Sequence, residues 1–348
     1  MNPLTMPDTA TSVAASPHAS SGAPPSPERF LALVAEKLAR TEVCIHEHLG
    51  SDVPFIEEAG RYLASAGGKR LRPAMLLLAS RLLGHDSEEE ITYATVVEFI
   101  HTATLVHDDV IDHASLRRGR RTIHELWGNN RTVLLGDWLY TTAMNLALSH
   151  GNVEVIRRLC HATLGMTEGE LLVLQRLGAI DVSVAVYFEI IERKTARLFA
   201  ASCSVPALVG RHDPVADGAL RRYGQKLGLL FQLVDDRLDF TAREDEVGKP
   251  VLSDLKEGKL TLPLILALPR LAPEERERIA KVLADRSFER VAPGEILELV
   301  RREGTLDEVD QRARDLAAEA VAELAVFAAS DARDALEFAP HYVLHRRT

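Results

Sequence analysis

The feature that most constrains this sequence is an acidic triplet that occurs twice in apolar surroundings. Both copies have the spacing Asp-Asp-x-x-Asp, and their members are Asp108, Asp109, Asp112, Asp235, Asp236 and Asp239. In a helix, side chains four positions apart lie above one another, so the carboxylates of a triplet are expected on one face. Buried carboxylates are rare unless they are paired or bind a metal. The sequence therefore predicts two acidic helices with a cation between them.

The first triplet is followed at once by a basic segment in which Gly119 allows a turn. Its members are Arg117, Arg118, Arg120 and Arg121. Oxygen-only ligands favour a hard ion such as Mg²⁺, and guanidinium groups bind phosphate oxygens in a bidentate manner. Together they indicate a metal-bound phosphate ester. The alternative is an acidic helix face followed by a solvated basic loop.

Further polar residues lie at the ends of apolar segments. The segment AGGKRLRP places Lys69, Arg70 and Arg72 where Pro73 begins a helix over 73–84, which is a typical anion-binding position. A loop over 247–263 places Lys249 and Lys259 just beyond the second triplet. Two further predicted helices, 184–203 and 218–242, carry Lys194, Thr195 and Gln232.

Composition favours helices and excludes several classes of function. The chain has 348 residues, of which 46% are hydrophobic and 5% aromatic, and Ala and Leu are abundant. Its formal charge of −10 argues against general nucleic-acid binding. Three widely spaced cysteines indicate a reducing compartment, and no segment has the length of a transmembrane helix or the pattern of a signal peptide. We therefore expect a cytoplasmic protein.

The helical pattern begins near Glu28 and continues to the end of the chain, with no segment of strand periodicity. Residues 1–27 contain no Lys or Arg and are predicted to be a disordered tail. Residues 28–348 are predicted to form one all-α domain around a central cavity. The pair Glu98 and His101 resembles half of a di-iron motif, but the sequence has no second Glu-x-x-His.

Five motifs, in this order, resemble those of the trans-isoprenyl diphosphate synthases. They are GGKRLRP, HDDVIDHASLRRG, RKTA, FQLVDDRLD and GKPVLSDLKEGKLTLP. The resemblance covers roughly residues 28–348 and is closest to medium- and long-chain synthases. It implies the all-α isoprenoid synthase fold, a homodimer, and two aspartate-rich motifs that hold Mg²⁺ against an allylic diphosphate.

The resemblance also implies roles for the other polar residues. Isopentenyl diphosphate would be bound by Lys69, Arg72, His101 and Arg118. The allylic substrate would be contacted by Arg117, Lys194, Thr195, Gln232, Lys249 and Lys259. Pyrophosphate would leave with help from the metal, and the double bond of isopentenyl diphosphate would attack the resulting allylic cation.

Product length is expected to depend on residues below the first triplet. Ala103 is five residues before Asp108, about 7–8 Å along the helix axis. Relatives that make short products have bulky aromatic residues at this level, whereas this chain has Ala103 and Thr104. We therefore predict a product of six to ten isoprene units, of the kind used for quinone side chains. Tyr140 and Met144 are candidates for a deeper floor.

Three residues depart from the pattern of the family: Arg237 inside the second triplet, Val173 where relatives often have Gln, and His113 where an acid is commoner. Alternative functions are a shorter-chain synthase, a terpene cyclase of the same fold, a non-catalytic partner subunit and a carboxylate-bridged oxidase. A cyclase would not need the site at Lys69, Arg72 and Arg118. A partner subunit would tend to lose the acidic triplets.

Overall fold

The computed structural model describes residues 27–65, 67–117, 119–210, 212–241 and 251–346. In these residues the chain is almost entirely helical, which confirms the predicted all-α class. The first helix begins at Pro27, one residue before the expected domain boundary. The remainder of the predicted tail lies outside the described residues.

The described residues of the first half of the chain form a series of helices, one of which ends at the first acidic triplet. They are α1 (Pro27–Ala32), α2 (Ala35–His48), α3 (Pro54–Ser65), α4 (Leu71–Leu82), α5 (Glu89–Ile111), α6 (Ile123–Trp127), α7 (Asn129–Leu148) and α8 (Val153–Arg176). A two-stranded antiparallel hairpin, β1 (Leu116–Arg117) and β2 (Arg120–Arg121), follows α5. We had expected no strands, but Gly119 at φ +73° closes this short turn.

The second half is helical in the same way. Its α-helices are α9 (Val184–Ile191), α10 (Arg197–Ser204), α11 (Pro214–Thr241), α12 (Ser253–Lys256), α13 (Leu262–Ala267), α14 (Pro273–Asp285), α15 (Pro293–Arg302), α16 (Thr305–Glu323) and α17 (Asp331–His345). Short 3₁₀ turns occupy Val205–Leu208, Leu268–Arg270 and Leu324–Val326.

The two helices that carry the acidic triplets form the centre of the molecule. α5 packs mainly against α7, α4 and α2, whereas α11 packs mainly against α10 and α16. Large side chains on both helices, such as Phe99 and Tyr223, are fully buried in one continuous core. Burial of the apolar faces of α5 and α11 supplies most of the stability of these helices. The triplets therefore project from rigid elements.

Three expected helices have other boundaries in the structure. The helix expected over 73–84 is α4, which begins at Leu71, so that Arg72 lies in its first turn. The helix expected over 218–242 is α11, Pro214–Thr241, and α5 ends at Ile111, before the arginines of the hairpin. The expected helix over 184–203 is interrupted by a π-helical turn, Glu192–Ala196, between α9 and α10. Such turns occur often at functional sites, and this one contains Lys194 and Thr195.

Candidate active site

Two clefts meet at Lys194. The first, the α5–α8 cleft, encloses about 910 Å³ and is lined by residues that include Asp108, Glu170 and Thr195. The second, the α9–α11 cleft, encloses about 780 Å³ and is lined by residues that include Asp236 and Lys259. Because Lys194 lines both, the two clefts adjoin, and we call them together the shared hollow; Asp108 of the first triplet lines one and Asp236 of the second triplet lines the other.

Each carboxylate of the first triplet has a separate cationic neighbour. Oδ2 of Asp108 lies 3.7 Å from Nζ of Lys194. Arg117 donates from Nε to Oδ1 of Asp109 at 2.7 Å, from the hairpin. Asp112 accepts from Nζ of Lys259 at 2.9 Å, across the hollow. The three carboxylates of this triplet therefore have three different cationic partners, from the π-helical turn, the hairpin and the loop beyond the second triplet.

The second triplet also diverges. Asp235 pairs with Arg346, which follows the last helix. Asp236 is buried and accepts from Tyr187 Oη at 2.6 Å and from Gln232 Nε2 at 2.8 Å. Asp239 accepts from the backbone N–H and the hydroxyl of Ser253, at 2.9 and 2.8 Å, and so caps α12.

The burial of these acids leaves negative charge that the protein compensates only in part. Burial raises the pKa of Asp108 to about 6, even though Lys194 lowers it. Burial raises the pKa of Asp236 to about 7 against the hydrogen bonds from Tyr187 and Gln232. Burial and the nearby Asp239 and Asp236 raise the pKa of Asp254 well above its usual value. A divalent cation would relieve this cost.

The donor chemistry fits a hard cation. Carboxylate oxygens are the ligands that Mg²⁺ prefers, and both clefts supply them. Across the described part of the chain, no three acidic, histidine or cysteine side chains lie close enough together to form a metal centre by themselves. The cationic partners occupy the carboxylates instead, and a bound diphosphate would contribute the remaining oxygen ligands.

A short hydrogen-bonded series links the π-helical turn to the second triplet. The hydroxyl of Thr195 donates to Oε1 of Gln232 at 2.9 Å, and Gln232 donates from Nε2 to Asp236. Thr195 is buried and Gln232 is half-buried. The two oxygens therefore present partial negative charge beside a carboxylate and away from bulk water.

Among the predicted basic residues, Arg72 has a buried hydrogen-bond donor without a partner among the described residues. Arg72 is 9% exposed, and its guanidinium stacks on the ring of Phe199 at 4.4 Å. Its Nε has no hydrogen-bond partner among the described residues. Burial lowers the pKa of Arg72 to about 10, although Glu98 and Asp235 raise it. A buried guanidinium with an open donor is suited to an anion.

The other predicted basic residues differ from Arg72 in their surroundings. Arg70 is bonded to Glu98 at 2.5 Å and to Glu42 at 3.0 Å, so its guanidinium is engaged by two carboxylates and is not an open anion donor. Lys69 lines a small apolar pocket beside Arg346. His101 lines the α5–α8 cleft and also a third cleft, the cleft below the hairpin, whose lining includes Arg117 and Arg120. The predicted residues Arg118 and Lys249 lie outside the described residues.

Below the first triplet, Ala103 is buried and Thr104 lines the α5–α8 cleft. The two candidates for a deeper floor lie between α7 and α8. The hydroxyl of Tyr140 is 3.3 Å from Oγ1 of Thr163, and Sδ of Met144 is 3.7 Å from Sγ of Cys160. The effect of these residues on product length remains a prediction.

The residues that depart from the family pattern also have defined surroundings. Arg237 donates from Nη1 to Oδ1 of Asp310 at 2.8 Å and so ties α11 to α16. Val173 lines the α9–α11 cleft. His113 adopts a left-handed conformation, with φ of 52°, immediately after α5. Glu98, half of the di-iron motif, is bonded to Arg70.

Sequence reasoning missed four residues of the site. Tyr187 and Arg346 contact the second triplet from distant helices, and no spacing in the sequence indicates either contact. Glu170 contacts Lys194, and Asp254 lines the α9–α11 cleft. The sequence offered a signal for Asp254, because this residue lies between Lys249 and Lys259, just beyond the second triplet.

No helix of the described residues is both long enough and apolar enough to cross a membrane.

The chain is similar in sequence to known proteins. Residues 53–300 match the sequence model of the family described as polyprenyl synthetase. The chain is 37% identical over 319 residues to an octaprenyl diphosphate synthase of Escherichia coli, a match that covers 92% of this chain and 98% of the relative.

Two solved structures are similar along nearly their whole length. One is a polyprenyl synthase from Caulobacter crescentus complexed with calcium and isoprenyl diphosphate, with a TM-score of 0.89, 40% identity and coverage of 93% of this chain and 98% of that one. The other is a decaprenyl diphosphate synthase from Rhodobacter capsulatus, with a TM-score of 0.87, 35% identity and coverage of 92% and 99%. Both support the expected isoprenoid synthase fold.

Proposed function

The chain belongs to the polyprenyl synthetase family, and from that premise we propose that it is a trans-polyprenyl diphosphate synthase. It condenses isopentenyl diphosphate head-to-tail with an allylic diphosphate, in a Mg²⁺-dependent reaction within one catalytic domain, residues 28–348. The observation that carries the proposal is the shared hollow: Lys194 lines both clefts, and Lys259 of the α9–α11 cleft donates to Asp112 of the first triplet.

The acidic triplets bind the allylic diphosphate only together with divalent ions, because carboxylates and diphosphate repel one another. Asp108, Asp109 and Asp112 would hold ions on one wall, and Asp235, Asp236 and Asp239 on the other. The bound ions supply charge neutralisation of the leaving pyrophosphate. Lys194, Lys259 and Arg117 add positive charge at the same place, with Lys249 expected to join them.

Isopentenyl diphosphate binds without a metal on the basic side. Arg72 is the anchor, because its open donor is buried and needs an acceptor. Lys69, His101 and Arg118 would complete the site. A direct guanidinium contact suits a diphosphate that must stay intact, since it neutralises charge without activating the leaving group.

The reaction breaks the allylic C–O bond, and its electron pair leaves with pyrophosphate. The double bond of isopentenyl diphosphate then attacks the allylic cation, and one proton is lost to the released pyrophosphate. The oxygens of Thr195 and Gln232 stabilise the positive charge from a buried position. No side chain acts as a nucleophile. Apolar walls such as Leu105 and Met166 exclude water from the cation.

We propose that the product contains six to ten isoprene units, since Ala103 and Thr104 leave room below the first triplet. The relatives support this range, because one is an octaprenyl synthase and another a decaprenyl synthase. Such a product is membrane-seeking and suits a quinone side chain. The alternative is a shorter, farnesyl- or geranylgeranyl-length product.

We also propose a cytoplasmic homodimer that contacts its second copy through α7 and α8. Large apolar side chains on these two helices are strongly exposed: Leu134 by 66% and Leu148 by 55% on α7, and Leu164 by 60% on α8. Leucines so exposed on adjacent helices are typical of an interface. Analytical ultracentrifugation tests this: Leu134→Glu with Leu164→Glu should yield a monomer, whereas a wild-type monomer would contradict it.

One incubation tests the activity and the product together. The purified protein is supplied with Mg²⁺, isopentenyl diphosphate and primers of ten, fifteen or twenty carbons, and the dephosphorylated products are sized by mass spectrometry. Products in five-carbon steps that end at thirty to fifty carbons support the proposal. Products that end at fifteen or twenty carbons support the shorter-chain alternative. Conversion of an allylic diphosphate alone to a hydrocarbon would indicate a cyclase.

A further inference from the structure

Lys194 occupies an unusual backbone setting. It lies in the π-helical turn Glu192–Ala196, and this turn is packed between α8 on one side and α11 on the other. A π-helical turn widens the helix and removes the regular i to i−4 bonds, so its exact position depends on the neighbouring helices. The neighbour at Lys194 is α8, at the dipeptide Gly169-Glu170.

Gly169 is the point where the backbones of α8 and the turn meet. A Cβ atom placed on Gly169 would lie 2.8 Å from the backbone N of Lys194 and 2.9 Å from Cβ of Arg193. Carbon atoms do not approach backbone atoms so closely without a shift of one helix. The missing side chain at Gly169 therefore sets how near Lys194 comes to α8.

Glu170 acts on the other end of the same residue. Its Oε2 forms an ion pair with Nζ of Lys194, while Oδ2 of Asp108 is 3.7 Å from that nitrogen. Glu170 is only 12% exposed, and its two oxygens have no hydrogen-bond partner of good geometry among the described residues, so the ion pair is the contact that compensates its charge. The ammonium thus lies closer to Glu170 than to Asp108, and Asp108 lines the α5–α8 cleft.

We propose that Gly169-Glu170 is the positioning element for Lys194: Gly169 admits its backbone, and Glu170 holds its ammonium away from Asp108. The inference rests on the proposed function, because it assigns Asp108 to a divalent ion and Lys194 to a diphosphate. Without Glu170, the ammonium closes the gap to Asp108 and competes with the metal for that carboxylate. Without Gly169, the whole turn moves.

The first test uses Glu170→Gln and follows binding, with no turnover required. Calorimetry measures the affinity for Mg²⁺ in the presence of a non-reactive allylic diphosphate analogue, and thermal unfolding measures the Mg²⁺ concentration at half-maximal stabilisation. We expect affinity for Mg²⁺ to fall at least tenfold. An affinity within twofold of wild type would overturn the role of Glu170.

The matched control is Glu168→Gln on the same helix. Glu168 contacts Arg193 at 2.5 Å, so it faces the same turn but not Lys194. We expect Glu168→Gln to retain the wild-type affinity for Mg²⁺. An equal loss in both variants would mean that any charge on α8 matters, and the specific role of Glu170 would be wrong.

The second test compares Gly169→Ala with Gly165→Ala, one turn earlier. A Cβ on Gly165 would meet the guanidinium end of Arg197, at 2.1 Å from Nη1, and that side chain can move. We expect Gly169→Ala to lower kcat and raise the KM for the allylic substrate at least tenfold, with the KM for isopentenyl diphosphate unchanged. Gly165→Ala should stay within threefold of wild type. Equal kinetics in the two variants would overturn the role of Gly169.

These outcomes separate the inference from the proposed function. If wild-type protein elongates no primer, the proposed function is wrong. If wild-type protein is active but Glu170→Gln binds Mg²⁺ as well as wild type, only the positioning role is wrong. Should Gly169→Ala fail to fold, as judged by circular dichroism, the Glu170→Gln titration decides the question by itself.

Discussion

Nζ of Lys259 lies 2.9 Å from Oδ1 of Asp112, and so joins residues 147 positions apart in the chain. This contact brings the loop beyond the second triplet against the end of the first acidic helix. The carboxylates of Glu257, Asp112 and Asp254 raise the pKa of Lys259, although burial by itself would lower it. The contact keeps the ammonium of Lys259, which lines the α9–α11 cleft, beside the first triplet.

Replacement of Asp108 tests the acidic walls. We expect Asp108→Ala to abolish turnover, because the variant lacks a carboxylate that is proposed to hold Mg²⁺. We expect the fold to remain intact, because burial raises the pKa of Asp108 and makes its ionised form costly. Product formation by mass spectrometry and thermal unfolding are the measurements.

Asp315→Ala is the control, since Asp315 lies on the exposed surface of α16, bonded to Gln311. It should retain wild-type turnover. Normal activity in Asp108→Ala would remove the metal-clamp hypothesis.

The stabilisation that Mg²⁺ gives should depend on pH. The pKa values of Asp108 and Asp236, about 6 and about 7, lie above their usual value. Such acids contribute stability that is fully present below the unfolded pKa, near 4, and is lost as pH rises through the folded pKa. Without metal, these two groups therefore favour folding more at pH 5 than at pH 8.

With metal the dependence reverses, because Mg²⁺ binds only ionised carboxylates. The shift in Tm on addition of Mg²⁺ should be small at pH 5.5 and should grow up to about pH 8. Thermal unfolding with Mg²⁺ or with EDTA across this range measures it. A shift that is constant with pH would show that neither carboxylate binds the ion.

Arg72 should trade stability for substrate binding. Its buried guanidinium has an open donor, so an apolar side chain of similar length removes a desolvation cost. We expect Arg72→Met to raise the Tm and to raise the KM for isopentenyl diphosphate at least a hundredfold, with the allylic KM little changed.

Arg70→Met is the matched comparison, since Arg70 neutralises buried Glu98. Breaking a buried pair costs about 3 kcal/mol, so the Tm of this variant should fall. Steady-state kinetics and thermal unfolding measure both variants. An unchanged KM for isopentenyl diphosphate in Arg72→Met would refute its anchor role.

Product length should respond to the level of Ala103. We expect Ala103→Phe to shorten the product, because an aromatic ring one turn below Asp108 fills the path of the growing tail. Thr102→Phe is the control on the same helix, since Thr102 faces the cleft below the hairpin instead. Mass spectrometry of the dephosphorylated products gives the comparison. An unchanged product profile in Ala103→Phe would place the floor elsewhere, with Tyr140 the next residue to change.

The fold class and the residue types of the site follow from local spacing and composition. Apolar periodicity broken only by polar segments specifies helices, and the two Asp-Asp-x-x-Asp triplets require cations wherever they are buried. Both conclusions depend on local spacing and on residue type, which a sequence displays directly.

The tertiary structure decided how these residues meet. It gave each carboxylate its own partner, such as Tyr187 for Asp236 and Arg346 for Asp235, from helices far away in the chain. It also converted Arg70 from an expected anion donor into the partner of Glu98. Such contacts arise from the packing of helices that are distant in the chain, and no local spacing encodes which side chains that packing will bring together.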